Sequence, residues 1–251
     1  MHVPRLLLLL LLLSPAVPVT AVAPPTSPRA EEVIARVRPG LEARLREKGL
    51  AWGAPVFLRI FKDPARLEVW LRAGAKFKLF AIYRVCFFSG SLGPKTREGD
   101  NQAPEGFYFV PPAALNPSSN YHLSFNLGYP NAYDQAHGFT GSLIMVHGSC
   151  VSIGCFAMTD ARIEEIYALV DAALRRGQPF VRVHVFPFPL SRDEIERRCA
   201  TRAIPFLRPS LAAHRDFWLN LLEGYEWFER RRVPPDAGVA RGRYVFRTAT
   251  E

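Results

Sequence analysis

His147 and Cys155 stand eight residues apart in a stretch, residues 141–158, that joins a short apolar run to a string of small residues. The run at 143–146 reads as a buried strand that delivers His147 and Gly148 to its end. The small-residue loop after it presents Cys155 ahead of a helix beginning near Thr159. A pair of this kind attacks carbonyl carbon. The thiolate is the nucleophile, so the cysteine needs an imidazole, a helix N-terminus or both to take up its proton or hold its charge. His147 is the imidazole of choice because it shares the segment, whereas His122 and His137 read as surface or structural residues. A helix starting just past Cys155 adds up to ~1 kcal/mol for a negative charge. Backbone N–H groups at Gly154 and Cys155 are candidates to hold an oxyanion, glycine allowing close approach.

The same residues admit plainer readings. His147, Cys150 and Cys155 are a possible metal set, Cys150 and Cys155 a possible local disulfide, and all three possible inert core residues. A regular zinc site wants a fourth ligand. No second close Cys/His pair supplies one, and His184 and His214 are isolated, so the reading calls for no metal and no cofactor.

His147-Gly148 followed by Ser152-Ile153-Gly154-Cys155 resembles the His-Gly and Ser-His-Gly-Cys signature of the L,D-transpeptidase catalytic domain (YkuD-type) family of peptidoglycan enzymes. The longer string around it, with residues 121–134 and 224–246, resembles the family's YafK-type branch of murein L,D-transpeptidase-like proteins. Two positions depart from the better-known members: Ile153 stands where they have a second histidine, and Ala157 where an arginine is common. The gap from His147 to Cys155 is also shorter.

The resemblance implies a cysteine acyltransferase. Cys155 would attack the carbonyl at the L-centre of diaminopimelate in a peptidoglycan stem peptide, with His147 handling the thiol proton and the Gly148 carbonyl orienting the imidazole. Gly154 and Cys155 N–H groups would stabilise the oxyanion, with Ser152 in support. An amine of another stem, or a lysine of a wall-attached lipoprotein, would then take the acyl group. With water as acceptor the same site would be a hydrolase. By the same resemblance Tyr129, Asn131 and Asp134 are cleft candidates, although a loop packed on itself would carry the same residues. Lys95 and Arg97 lie in a segment bordering the cleft, as candidate substrate contacts or as part of a solvated hairpin loop. A reading of another class is a non-catalytic wall-binding module with Cys150 and Cys155 joined as a disulfide.

The rest of the chain must mount and deliver this site. Residues 1–23 carry Arg5, a leucine run at 6–13 and small residues ending in Ala21-Val22-Ala23, which reads as a secretory signal peptide with an apolar core too short to span a bilayer. No lasting transmembrane anchor is therefore expected, and export of a bacterial-type cell-wall enzyme implies the periplasm. The composition, 49% hydrophobic and 22% charged, is that of a globular chain rather than a disordered one. A net charge of +9 favours anionic partners. No nucleic-acid motif is present; the resemblance implies stem-peptide carboxylates as the anion, and a basic surface that is only solvated is the plainer reading. If Cys155 must stay reduced, at most one bridge forms among Cys86, Cys150 and Cys199.

The expected fold is α+β: an antiparallel, sandwich-like catalytic core at 53–190, an N-terminal helical segment at 24–52 and a C-terminal helical extension at 191–251 packed on the domain. Val33, Val37, Leu41 and Leu45 recur every four residues, with a kink expected at Pro39. Val56, Leu58 and Ile60 begin a β-meander with one buried face, and Tyr121, Leu123, Phe125 and Leu127 mark another strand. Ile163, Ile166, Val170 and Leu174 form the stripe of a helix, and Val181, Val183 and Val185 a late strand. Ser191-x-x-Glu194 caps a basic helix, and a longer helix follows over 211–231.

Overall fold

The computed structural model describes residues 22–201 and 210–248; the expected leader peptide lies outside them but for its last two residues. Helix α1 (Pro28–Glu47) starts at a Ser27 cap, whose hydroxyl accepts from the Ala30 N–H, with proline at the first helical position. It runs through Pro39 without breaking. An internal proline costs a helix about 3 kcal/mol. Burial of Val33, Leu41 and Leu45 offsets that cost by holding both halves on the domain.

Strands β1 (Val56–Phe61), β2 (Arg66–Ala73), β3 (Lys76–Arg84) and β4 (Phe87–Phe88) follow. Then come β5 (Gly106–Val110), β6 (Leu115–Asn116), β7 (Ser124–Asn126), α2 (Ala132–Ala136), β8 (Met145–His147) and β9 (Phe156–Ala157). Helix α3 (Asp160–Arg175), β10 (Val181–Phe186), α4 (Arg192–Ala200), α5 (Arg215–Arg231), β11 (Asp236–Ala240) and β12 (Arg243–Arg247) complete the order.

Two five-stranded sheets carry the α+β architecture, one ordered β3-β2-β1-β10-β5 and the other β4-β9-β8-β7-β6. The pairings are mixed rather than all antiparallel, because β1 runs parallel to β10 and β8 parallel to β9. Strand β1 also differs from the one-sided strand expected from its alternation: all six of its residues are buried. Both phases of that alternation are apolar or paired. Leu58 and Ile60 enter the main core with Ile163, Ile166 and Tyr167 of α3. Phe57 packs on Phe228 of α5, and Phe61 joins the core around Trp218 and Leu221. The odd residue, Arg59, is buried but bonded to Glu68 and Glu229.

The α3 stripe is as its periodicity predicts, with Ile163, Ile166, Val170 and Leu174 all buried. The Ser191 hydroxyl accepts from the Glu194 N–H at the start of α4. The C-terminal extension is not helical throughout. Strands β11 and β12 form a hairpin, pinned to α5 by Asn220, which accepts from the Tyr244 N–H at 2.8 Å and donates to its carbonyl at 3.0 Å. Among the described residues no helix is long and apolar enough to cross a membrane.

Cys86 is bonded to Cys150, 64 residues away. The bridge ties the loop after β8 to the chain entering β4, whose first approach is the Cys86 N–H donated to the Ala157 carbonyl at 2.8 Å. Closing a loop of this length removes enough unfolded-chain entropy to contribute about 4 kcal/mol. Cys86→Ser with Cys150→Ser should therefore lower unfolding free energy by a few kcal/mol in urea melts; a loss under about 1 kcal/mol would mean that the bridge does not constrain the denatured chain.

Candidate active site

His147 is the last residue of β8 and is 1% exposed. Its backbone is clamped from both neighbours: the Met158 N–H donates to the His147 carbonyl, and the Gly148 N–H donates to Leu123. Imidazole Nδ1 bonds the Gly148 carbonyl. A carbonyl only accepts, so Nδ1 carries the hydrogen and Nε2 keeps its lone pair. The Tyr121 ring lies against the imidazole, centroids 4.7 Å apart. Burial pushes the imidazolium pKa below the ordinary histidine value, opposed by the Gly148 carbonyl, so the ring is neutral at pH 7.

Gly148 is required by space. A Cβ there would sit 2.6 Å from Asp160 Oδ1 and 2.8 Å from the Tyr121 carbonyl. The same Asp160 oxygen accepts the Ser149 N–H at 2.8 Å, so the first residue of α3 secures the turn out of β8.

Cys155 is a free thiol. Its Sγ accepts from the Met145 N–H at 3.4 Å and lies 3.5 Å from the Leu143 carbonyl. Burial raises its pKa, while the Met145 N–H and the Lys95 ammonium pull it down. The helix expected after the thiol is α3, capped at Thr159. Strand β9 stands between Cys155 and α3, because Phe156 and Ala157 are drawn into the sheet beside Val146 and His147. The nearby positive charge is that of Lys95.

The loop before the thiol is bonded to itself. The Gly154 N–H donates to Ser152 Oγ at 3.0 Å, and the Ser152 hydroxyl donates to the Cys155 carbonyl at 2.8 Å. Gly154 sits at φ +152, a backbone conformation that side chains rarely adopt. The Gly154 N–H expected at the oxyanion is thus engaged by Ser152. With Cys150 bonded to Cys86, the Cys150–Cys155 bridge and the three-residue metal set both lack a member.

His147, Gly154, Ser152 and Cys155 line one cleft of about 550 Å³, together with Lys95 and with Glu98, Tyr121 and Leu143. Lys95 is almost wholly buried: its ammonium bonds Asp100 at 2.5 Å and the Arg97 carbonyl at 2.8 Å. Asp100, held low by that bond against its own partial burial, also accepts the N–H groups of Thr96, Arg97 and Gln102. Arg97 contributes backbone to this turn, and its side chain is exposed outside the cleft lining.

The aromatic loop behaves otherwise than the resemblance implies. Tyr129 is buried behind the cleft, its hydroxyl donating to the Lys95 carbonyl at 3.2 Å. Asn131 and Asp134 do not line the cleft; they form the capping box of α2, each accepting the other's backbone N–H. Asn131 also donates to the Phe107 carbonyl and the Tyr244 hydroxyl, and Asp134 accepts from Tyr108. Burial pushes the Asp134 carboxyl up to about 6. An Asn-x-x-Asp pair is spent on a helix start whenever it can be, since four N–H groups there need acceptors.

Tyr121, Glu98 and Leu143 are cleft residues that the sequence did not single out. Tyr121 reads as one more member of an alternating strand, yet β7 begins only at Ser124. Leu143 takes φ +54, which no pattern announces.

Lys95→Met should raise the pH midpoint for alkylation of Cys155 and slow alkylation at pH 7 by about 3- to 10-fold, because it removes the cation and leaves Asp100 unpaired. An unchanged rate profile would show that Lys95 does not act on the thiol.

The sequence matches the family described as "L,D-transpeptidase catalytic domain" over residues 62–185. It is 43% identical over 193 residues to "Putative L,D-transpeptidase YafK" of Escherichia coli (strain K12), covering 77% of this chain and 74% of that protein. The same figures hold for the protein of that name from Escherichia coli O157:H7. Among solved structures, the helical cell shape determining protein Pgp2 (K307A mutant) from Campylobacter jejuni aligns with a TM-score of 0.45 at 17% identity, over 84% of this chain and 81% of that one.

Proposed function

Because the chain belongs to the L,D-transpeptidase catalytic domain family, we propose that it is an exported, periplasmic cysteine acyltransferase that remodels peptidoglycan through a thioester on Cys155. One observation carries the chemistry: a free cysteine and a histidine whose Nδ1 is bonded to the Gly148 carbonyl, leaving Nε2 for the thiol proton, line the same cleft. The donor is a stem peptide with its carbonyl at the L-centre of diaminopimelate.

The proton of Cys155 passes to His147 Nε2 as Sγ attacks that carbonyl. The resulting imidazolium is stabilised by the Gly148 carbonyl on Nδ1, which supports charge on the ring although burial opposes it. The Cys155 N–H holds the oxyanion, joined by the Gly154 N–H once the Ser152 oxygen turns away. Collapse of the intermediate returns the proton from His147 to the leaving amine and leaves the thioester. An acceptor amine then attacks the thioester and loses its proton to His147, and the imidazolium returns that proton to the departing sulfur, which regenerates the Cys155 thiol and the neutral ring. The amine of a second stem is the acceptor of the main reading, and a lysine of a wall-attached lipoprotein serves the same chemistry.

The experiment is incubation of the purified protein with diaminopimelate-containing muropeptides and an amine, read by mass spectrometry. A crosslinked product, with a transient Cys155 adduct of stem-peptide mass, supports transpeptidation. A product shortened by hydrolysis with the same adduct assigns water as the acceptor. No adduct and no product would overturn the acyltransferase reading.

A further inference from the structure

Lys62 and Glu105 are wholly buried, one just past β1 and the other just before β5, and neither touches the cleft. Their charges are 3.1 Å apart. Lys62 also donates to the carbonyls of Gly93 at 2.7 Å, Ala103 at 2.6 Å and Ser91 at 3.2 Å. Glu105 accepts the Gly93 N–H at 2.7 Å with one oxygen and the indole N–H of Trp218 at 2.8 Å with the other. A buried ion pair is a poor way to add stability, since apolar residues of the same volume often do as well. What this pair does is join the two feet of one loop.

Both feet of the 94–101 loop end on the pair. Gln102 reinforces the join by bonding Ser91 through its N–H and carbonyl and Gly93 through its carbonyl. From the clamped Gly93 the chain passes through Pro94, with its fixed φ, directly to Lys95. His214 presses on the same point: a Cβ on Gly93 would sit 2.4 Å from its Nε2, and its ring lies 5.4 Å from that of Trp218.

We propose that Lys62, Glu105 and Trp218 are positioning residues of the active cleft: through them α5, which lies outside the matched residues 62–185, sets the foot of the 94–101 loop and hence the place of the Lys95 ammonium in the cleft of Cys155. The proposal rests on Cys155 being the reactive group. It makes the C-terminal extension part of the catalytic apparatus rather than a cover for apolar surface.

The test is the pH–rate profile of Cys155 alkylation by iodoacetamide in the full chain, resolved by peptide mass spectrometry from Cys199. Trp218→Phe removes the indole donor and keeps an aromatic ring. It should slow alkylation at pH 7 by about threefold and move the profile to higher pH, in the direction of Lys95→Met. The double variant Lys95→Met/Trp218→Phe should match Lys95→Met alone, because Trp218 acts through Lys95. Lys62→Met with Glu105→Leu replaces the pair by apolar volume and should behave like Trp218→Phe. Phe228→Leu, at the end of α5 that packs on Phe57, is the control for simple destabilisation and should leave the profile in place. A Trp218→Phe profile equal to wild type, an equal shift in Phe228→Leu, or effects that multiply in the double variant would overturn the proposal. An inert Cys155 in the parent protein would overturn it together with the acyltransferase reading, whereas a reactive one that ignores Trp218 overturns this proposal alone.

Discussion

Cys155→Ala should abolish conversion of diaminopimelate-containing muropeptides, a loss of at least about 10³-fold, with no stem-peptide adduct on the intact protein. The expectation follows from covalent chemistry: alanine carries no nucleophile, so neither the thioester nor the oxyanion that leads to it can form on residue 155. The fold should survive the change. Cys155 is only partly buried and its Sγ makes two long polar contacts, at 3.4 and 3.5 Å, so the cost should be within about 1 kcal/mol. Residual turnover above a tenth of wild type in a well-folded Cys155→Ala would end the cysteine mechanism.

His147→Gln should reduce turnover by about 10²- to 10⁴-fold while leaving substrate binding nearly intact, since the imidazole is assigned to proton transfer. The pH dependence is the sharper measurement. In the folded protein the imidazole pKa lies below its ordinary value and the thiol pKa above its own, both mainly through burial. At neutral pH the pair is therefore thiol and neutral imidazole, not thiolate and imidazolium. Turnover that requires both neutral forms should run on a plateau through pH 7. Its acid limb should fall below the ordinary histidine range, and its alkaline limb above the ordinary cysteine range. Stability shifts in the same sense: the folded imidazole binds its proton less readily than the unfolded one, so acidification from pH 6.5 downward costs stability through this group. In His147→Gln the acid limb should disappear. An acid limb that persists unchanged would assign it to another group, and an equal loss through KM alone would make His147 a binding residue.

Local signals carried much of the frame. The four-residue spacing of α1, the stripe of α3, the Ser191 cap of α4 and the valines of β10 are each written within one element. So is the clustering of His147, Gly148, Ser152, Gly154 and Cys155, since the strand and loop that carry them are contiguous in sequence. Nearby residues reach one another with little loop-closure entropy, and their periodicity reports which side is buried.

Other features were decided by contacts between distant segments. Phe57 and Phe61 look like the exposed phase of a strand until α5 covers them. Phe156 and Ala157 look like the lead-in to a helix until β8 and β4 claim their backbone on both sides. Asn131 and Asp134 carry the same letters whether they bind a ligand or cap α2. The helix start needs their oxygens, and Tyr108 and Tyr244 complete the site around them. Cys150 could have been read with Cys155, five residues on, but the sheet brings Cys86 to it. The residues of the proposed pair, His147 and Cys155, and their shared segment were thus determined by the sequence itself, because both lie within one strand and its following loop. The partner of each backbone group, the cation facing the thiol and the second side of every strand were decided by the tertiary structure, because burial and hydrogen-bond satisfaction are settled among all segments at once.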